Sequence, residues 1–265
     1  MWGDSGNDFR MAHPMADGIA LTDLKSAPHS SSAARVFAVV PCAGSGSRAG
    51  AAVPKQYQAV AGQAVVLHTL AALHAVVRVQ ACAVVVAPGD DTWSDRAHPF
   101  GSWLRLVPRG GATRAHSVLA GLLALAEAGA AVQDWVLVHD AARCLVTPKQ
   151  VNALIDACMD DAVGGLLALP LPDTLKQAQA GRVAATVPRE AKWLAQTPQM
   201  FRLGVLTQAL QQAAASDFAG ITDESSAMEA MGFQPLLVTG SAQNIKITYP
   251  EDFALAQAVL ESRQP

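Results

Sequence analysis

"VVPCAGSGSRAGAAVPKQY", Val39 to Tyr57, is the stretch whose reading decides the fold. It begins as an apolar run, breaks into a glycine-rich turn, and then carries Arg48 and Lys55, seven residues apart. A buried strand running into such a turn opens an α/β unit, and the backbone N–H groups of the turn can cradle phosphate. Gly44-x-Gly46-x-x-Ala49 formally matches the dinucleotide fingerprint. The rest of that fingerprint is missing. A dinucleotide site needs a ribose-binding carboxylate about 20 residues on, yet no Asp or Glu stands between Arg48 and Gly89, and Arg78 is poorly placed to serve NADP instead. No Gly-Lys-Ser/Thr follows, so the loop is not a Walker A motif. Two cations beside a glycine turn suit charge building on an α-phosphate and its leaving pyrophosphate, where one well-placed donor contributes about 3–4 kcal/mol.

Outward from the loop, apolar runs alternate with helical patterns. Val36–Pro41, Ala81–Pro88 and Asp134–Asp140 read as strands covered on both faces, and Gly164–Pro170 and Pro235–Gly240 as two more. Thr147-Pro148-Lys149-Gln150 predicts an N-cap, a first-turn proline and a capping-box glutamine. Thr248-Tyr249-Pro250-Glu251 repeats the device, Thr222-Asp223-Glu224 opens another helix, and a helix over His116–Ala128 stops at Gly129. Strands alternating with helices predict an open, mostly parallel α/β sheet. Pro172–Glu190 breaks the rhythm: it is polar, alternates on both sides of Ala180-Gly181, and reads as a projecting β-hairpin. A lone hairpin is marginal in water, so a partner subunit is its natural support, a floppy surface loop being the alternative.

Two further clusters stand where ligands of such sheets collect, at strand carboxyl ends. "VLVHDAAR" puts Asp140 at a strand end with Arg143 three residues later. The acid suits a metal, ribose or hydroxyl, and the arginine suits a phosphate; a turn cap is the plainer role for Asp140. His139 reads as a packed histidine. In "RGGATRAHSV", Gly110-Gly111 permits close backbone approach to a flat ligand, and Ser117 can hydrogen-bond a base edge.

At 265 residues, 51% hydrophobic and 15% charged, the chain predicts one large buried core. A net charge of −3 argues against a nucleic-acid binder. Cys42, Cys82, Cys144 and Cys158 have no metal-ligand spacing and read as small apolar residues of a reducing compartment. No apolar run is long enough to cross a membrane. Residues 1–34 lack the form of a signal peptide and read as a disordered tail or an over-long gene start, leaving 35–265 as a single domain.

Taken in order, "GSGSRAGAAVPKQY", "GGATRAHSV", "VHDAAR", "LPDTLK", "TVPRE", "AQTPQMF", "TDESSAMEAMG" and "NIKITYPEDFALA" resemble one family, the 2-C-methyl-D-erythritol 4-phosphate cytidylyltransferases of the non-mevalonate isoprenoid pathway. The resemblance implies a Rossmann-like nucleotidyltransferase fold, a dimerisation arm at 172–190 exchanged within a homodimer, and a cytoplasmic enzyme without nucleic-acid or membrane partners. It implies transfer of CMP from CTP to methylerythritol phosphate with Mg²⁺. By the same carry-over, Arg48 and Lys55 stabilise the transition state, while Arg189 and Lys246 position the methylerythritol phosphate. Cys42, Ala43, Gly44, Gly46, Gly111 and Ser117 would hold the CTP. Asp140 would sit by the ribose and the metal, the latter held mainly by CTP phosphates. Asp140, Arg143, Thr174, Arg189, Thr197, Thr222 and Lys246 would line the second substrate, Thr174 and Arg189 reaching the partner's site.

The chain departs from the family at Cys42, Cys144, Ala112 and Gln243, none of which is a charge-stabilising position. Some relatives are fused to the cyclodiphosphate synthase of the same pathway; with the chain ending at Pro265, a single activity is expected. The rival readings are a nucleotidyltransferase acting on another sugar or alditol phosphate, a non-catalytic nucleotide-binding regulatory subunit, and an NADP-linked reductase.

Overall fold

The computed structural model describes residues 34–44, 53–93 and 99–263. Gly46, Arg48 and residues 1–33 of the expected tail lie outside the described residues.

The opening strand, β1 (Val36–Pro41), is buried on both faces. Val36, Ala38 and Val40 enter one apolar cluster and Phe37 and Val39 another, as the two-residue period of a strand requires. Two short strands, β2 (Ala59–Val60) and β3 (Gln63–Ala64), lead into helix α1 (Val65–His74). Then come β4 (Val79–Val85), β5 (Leu104–Val107), α2 (Arg114–Glu127), β6 (Trp135–Val138) and α3 (Pro148–Met159). The second half contains β7 (Gly164–Pro170), β8 (Leu175–Gln179), β9 (Arg182–Val187), β10 (Trp193–Arg202), α4 (Leu203–Ala214), α5 (Glu224–Ala230), β11 (Leu236–Thr239) and α6 (Pro250–Ser262).

Seven strands form one sheet in the order β11-β7-β10-β6-β1-β4-β5. Only β10 runs antiparallel to its neighbours; every other pair is parallel. Helices α1 and α3 cover one face through Leu70, Leu73, Leu154 and Ile155, and α2 and α4 the other through Leu122, Leu125, Leu206 and Leu210. Each such buried side chain contributes about 1.5–3 kcal/mol. From β1 the chain steps outward through β4 to β5 and then returns to add β6 on the opposite side, so the switch point of the topology lies between β1 and β6. Ligands of open α/β sheets bind in the crevice at that point.

The five expected strands and the helix starts are present with small shifts. Thr147 and Gln150 make the predicted capping box. The last helix is capped differently: Tyr249, not Thr248, is the N-cap, because Asp252 accepts from the N–H groups of both. The expected helix over His116–Ala128 begins earlier, with Thr113 as its cap. The hairpin of 172–190 is β8 and β9, a separate two-stranded sheet. Ala180 and Gly181 both have positive φ, the geometry of a primed hairpin turn, and both strands are exposed almost throughout.

Candidate active site

Two loops enter the crevice from β1 and β5. After β1, Cys42 is buried, and its N–H donates to Val85 O at 2.7 Å. Ala43 packs against Gly110, where a Cβ would overlap the Ala43 side chain and come within 2.7 Å of Val86 O. Only glycine lets the two loops approach this closely. Gly111 donates its N–H to Ser117 Oγ at 3.2 Å, and the same hydroxyl donates to Thr113 O at 3.3 Å. Ser117 is therefore a buried brace of the Gly110-Gly111 turn. The Cys42 thiol, pushed up by burial to about 12, is no nucleophile.

The centre of the crevice is Asp140, just beyond β6 and 7% exposed. Its Oδ1 accepts from Arg114 Nε at 2.7 Å, its Oδ2 lies 2.8 Å from Lys246 Nζ, and Arg143 Nε is 3.8 Å away. Burial alone would raise this carboxyl's pKa, but Arg114, Lys246 and Arg143 outweigh it and hold the group well below the usual carboxylate range. Arg114 also forks onto the buried Glu224, at 2.6 and 3.1 Å. Burial pushes the Glu224 carboxyl up, and Arg114 opposes it. Three cations thus surround Asp140, one of them shared with Glu224, and the positive charge around Asp140 favours an anionic ligand.

Hydrogen bonds fix the loop that carries Asp140. His139 Nε2 faces Arg143 O at 3.1 Å, so it holds the proton, and Nδ1 accepts from the Thr197 hydroxyl at 3.0 Å. Thr197 Oγ1 in turn accepts from the Asp140 N–H at 3.0 Å. His139 is accordingly a packed histidine, and burial drives its pKa down to about 4.

The segment Asn244–Ile247 closes the crevice. Arg143 Nη1 donates to Asn244 O at 2.6 Å, the Asn244 carboxamide donates to Thr197 O at 2.9 Å, and the Ile247 N–H donates to Ala142 O at 2.9 Å. Ile247 O accepts from Lys55 Nζ at 2.6 Å. Lys55 and Lys246, far apart in sequence, therefore meet along one short strip of backbone. Such a strip can bring two polyanions together and neutralise charge on a phosphate during transfer.

Two predicted residues stand apart. Thr174 and Arg189 lie on the exposed hairpin, where an Arg189 guanidinium N–H bonds Pro172 O. Thr222 lines a neighbouring cavity of about 250 Å³ with Thr113, Arg114, Phe218, Asp223 and Glu224. Sequence reading missed Arg114 and Glu224. A signal was available for Arg114, which begins α2: a cation at a helix N-terminus opposes the macrodipole and implies a carboxylate partner nearby.

The family model described as 2-C-methyl-D-erythritol 4-phosphate cytidylyltransferase matches residues 36–262. The chain is 59% identical over 249 residues to the bifunctional enzyme IspD/IspF of Albidiferax ferrireducens, an alignment covering 94% of this chain and 57% of that protein. It is 56% identical over 229 residues to the 2-C-methyl-D-erythritol 4-phosphate cytidylyltransferase of Chromobacterium violaceum, covering 86% of this chain and 99% of the relative. Among solved structures, a 4-diphosphocytidyl-2C-methyl-D-erythritol synthase matches with a TM-score of 0.75 at 38% identity, covering 86% of this chain and 99% of that one. The 2-C-methyl-D-erythritol 4-phosphate cytidylyltransferase of Thermus thermophilus matches with a TM-score of 0.70 at 32% identity and the same coverage.

Proposed function

The chain belongs to the 2-C-methyl-D-erythritol 4-phosphate cytidylyltransferase family, and we propose that the crevice between β1 and β6 is where it transfers CMP from CTP to methylerythritol phosphate. The observation that carries this assignment is the gathering of Lys246 and Arg143 on Asp140 at the switch point, with Lys55 held to Ile247 O on the adjoining closing segment.

In this reading a phosphate oxygen of methylerythritol phosphate attacks the α-phosphorus of CTP. The bond to the β-phosphate breaks, and pyrophosphate leaves. The nucleophile is already anionic, so no general base is needed. Lys55, with Arg48, stabilises charge on the α-phosphate and the leaving group. Lys246 and Arg143 receive the attacking phosphate, with Thr197 and Thr222 adding hydroxyls. The turn Cys42–Gly46, with Gly111 and Ser117, holds the nucleotide, and Asp140 faces the ribose.

Mg²⁺ fits this donor set in one way. Among the described residues no three His, Cys, Asp or Glu side chains cluster to hold a metal. Magnesium commonly takes one or two carboxylates together with substrate phosphates and water, which matches a lone Asp140 beside a triphosphate. When bound, the ion would offset phosphate charge.

Thr174 and Arg189 are assigned to the site of a second copy. Support comes from the exposed Leu175, Val183, Trp193 and Leu194 on and beside the hairpin, an apolar surface that a homodimer would cover. The four free, buried cysteines accord with a reducing, cytoplasmic setting, and no helix among the described residues is long and apolar enough to cross a membrane.

The test is pyrophosphate release with methylerythritol phosphate, Mg²⁺ and each of the four NTPs in turn. Release with CTP alone, dependent on both substrates, is expected. Release with a different NTP would overturn the base assignment, and none with any NTP would overturn the reaction.

A further inference from the structure

The short 3-10 turn Lys55–Tyr57 sends three side chains to three different parts of the crevice. With three residues per turn, successive side chains project about 120° apart. Lys55 reaches Ile247 O on the closing segment at 2.6 Å. The Tyr57 hydroxyl donates to Asp90 Oδ2 at 2.5 Å and accepts from Trp93 Nε1 at 3.1 Å, beyond the end of β4. Between them, Gln56 turns inward and is 5% exposed. Its Nε2 donates to Cys42 O at 2.9 Å and to Gly44 O at 2.8 Å, so both amide protons are spent on the first turn of the glycine loop.

We propose that Gln56 is a positioning residue for nucleotide binding: it locks the Cys42–Gly44 turn to the backbone that carries Lys55. The proposal rests on the functional reading above. Cys42 is gripped on both sides, its N–H by Val85 O and its carbonyl by Gln56. The turn faces Gly110 through Ala43. Gln56 is thus the side chain that ties this wall of the crevice to the lysine expected to meet the α-phosphate. Two carbonyls converge on one group, and only a two-proton donor satisfies both. An apolar side chain leaves them unpaired, and a carboxylate repels them.

The substitutions Gln56→Glu and Gln56→Met separate this role from simple packing. Both conserve approximate size, and Gln56→Glu recovers one donor when its carboxyl is protonated. The expected result for both at pH 8 is a rise of tenfold or more in KM and Kd for CTP, with KM for methylerythritol phosphate changed less than threefold. The Gln56→Glu defect, relative to wild type, should shrink as pH falls toward 5, while the Gln56→Met defect stays constant. CTP affinities within twofold of wild type in either folded variant would overturn the proposal, as would equal losses for both substrates. Calorimetric CTP binding is measured beside turnover to tell the two readings apart. Wild-type protein that binds CTP without turnover removes the proposed reaction, while a tenfold weaker Gln56→Glu still upholds the positioning role. Wild-type protein that does not bind CTP overturns both.

Discussion

The ε-ammonium of Lys246 lies 2.8 Å from Asp140 Oδ2, while Arg114 holds the other oxygen of the same carboxylate at 2.7 Å. The two partners differ in access. The Lys246 side chain is 38% exposed and the Arg114 side chain 25% exposed, so the lysine is better placed to exchange Asp140 for an incoming phosphate. Lys246→Met should therefore leave the fold intact, because Asp140 keeps Arg114. It should raise KM for methylerythritol phosphate at least tenfold and change Kd for CTP less than threefold. Steady-state kinetics with each substrate varied checks the split; equal changes for both would place Lys246 at a shared site.

Lys55→Ala removes the cation that rests on Ile247 O. The ammonium's bond to a carbonyl contributes about 1.5–3 kcal/mol to stability, whereas a donor facing transition-state charge contributes about 3–4 kcal/mol to the rate. Turnover should fall at least a hundredfold while CTP still binds and urea unfolding shows a loss of no more than about 3 kcal/mol. Near-normal turnover would remove Lys55 from the chemistry.

Much of this arrangement could be read from residue order alone, because strand ends in an α/β sheet converge. Asp140 and Arg143 are legible by that rule, the glycine loop by its motif after a strand, and Cys42, Ala43 and Lys246 only by family resemblance. Strand β10 is not legible in the sequence, because "AQTPQ" is polar, holds a proline and carries no strand alternation. In fact Gln196, Thr197 and Gln199 are buried, and Pro198 falls within the irregular register between Ala195 and Gln199, where a strand proline is tolerated. Their polarity is satisfied internally: Gln199 donates to Asp223 Oδ2 at 2.9 Å and accepts from the Ser225 N–H at 2.7 Å. Hydrophobic periodicity cannot detect a core made of paired polar groups. For the same reason Glu224 looked like an ordinary first-turn acid, its partner Arg114 being distant in sequence.

That partnership has an energetic consequence. Arg114→Met strips the principal cation from Glu224, which is 1% exposed, and from Asp140. Orphaning buried charge costs about 3–5 kcal/mol. Glu224→Gln keeps an acceptor for the guanidinium and should cost about 1–2 kcal/mol. Urea unfolding of the two variants tests the ranking, and a loss below about 1 kcal/mol for Arg114→Met would mean that solvent screens the network.

The hairpin β8–β9 forms its own two-stranded sheet, and such a unit needs something to pack on. Deleting 172–190 should halve the mass measured by light scattering, if a second copy is what covers it. An unchanged mass would sink the arm assignment.

His139 should make stability depend on pH in a window that can be stated in advance. Burial lowers its pKa from 6.5 to about 4, partly offset by Asp140. Between these values the unfolded chain takes up a proton that the folded state refuses, so stability is full above 6.5 and declines as pH falls toward 4. The shift corresponds to about 3 kcal/mol over the whole window. His139→Gln retains a donor and an acceptor for Arg143 O and the Thr197 hydroxyl but cannot titrate there. Urea unfolding from pH 7 to 4 should therefore show a shallower slope in the variant than in the wild type. Parallel slopes would mean that His139 takes up its proton in the folded protein as readily as in the unfolded chain, so that burial does not hold it neutral.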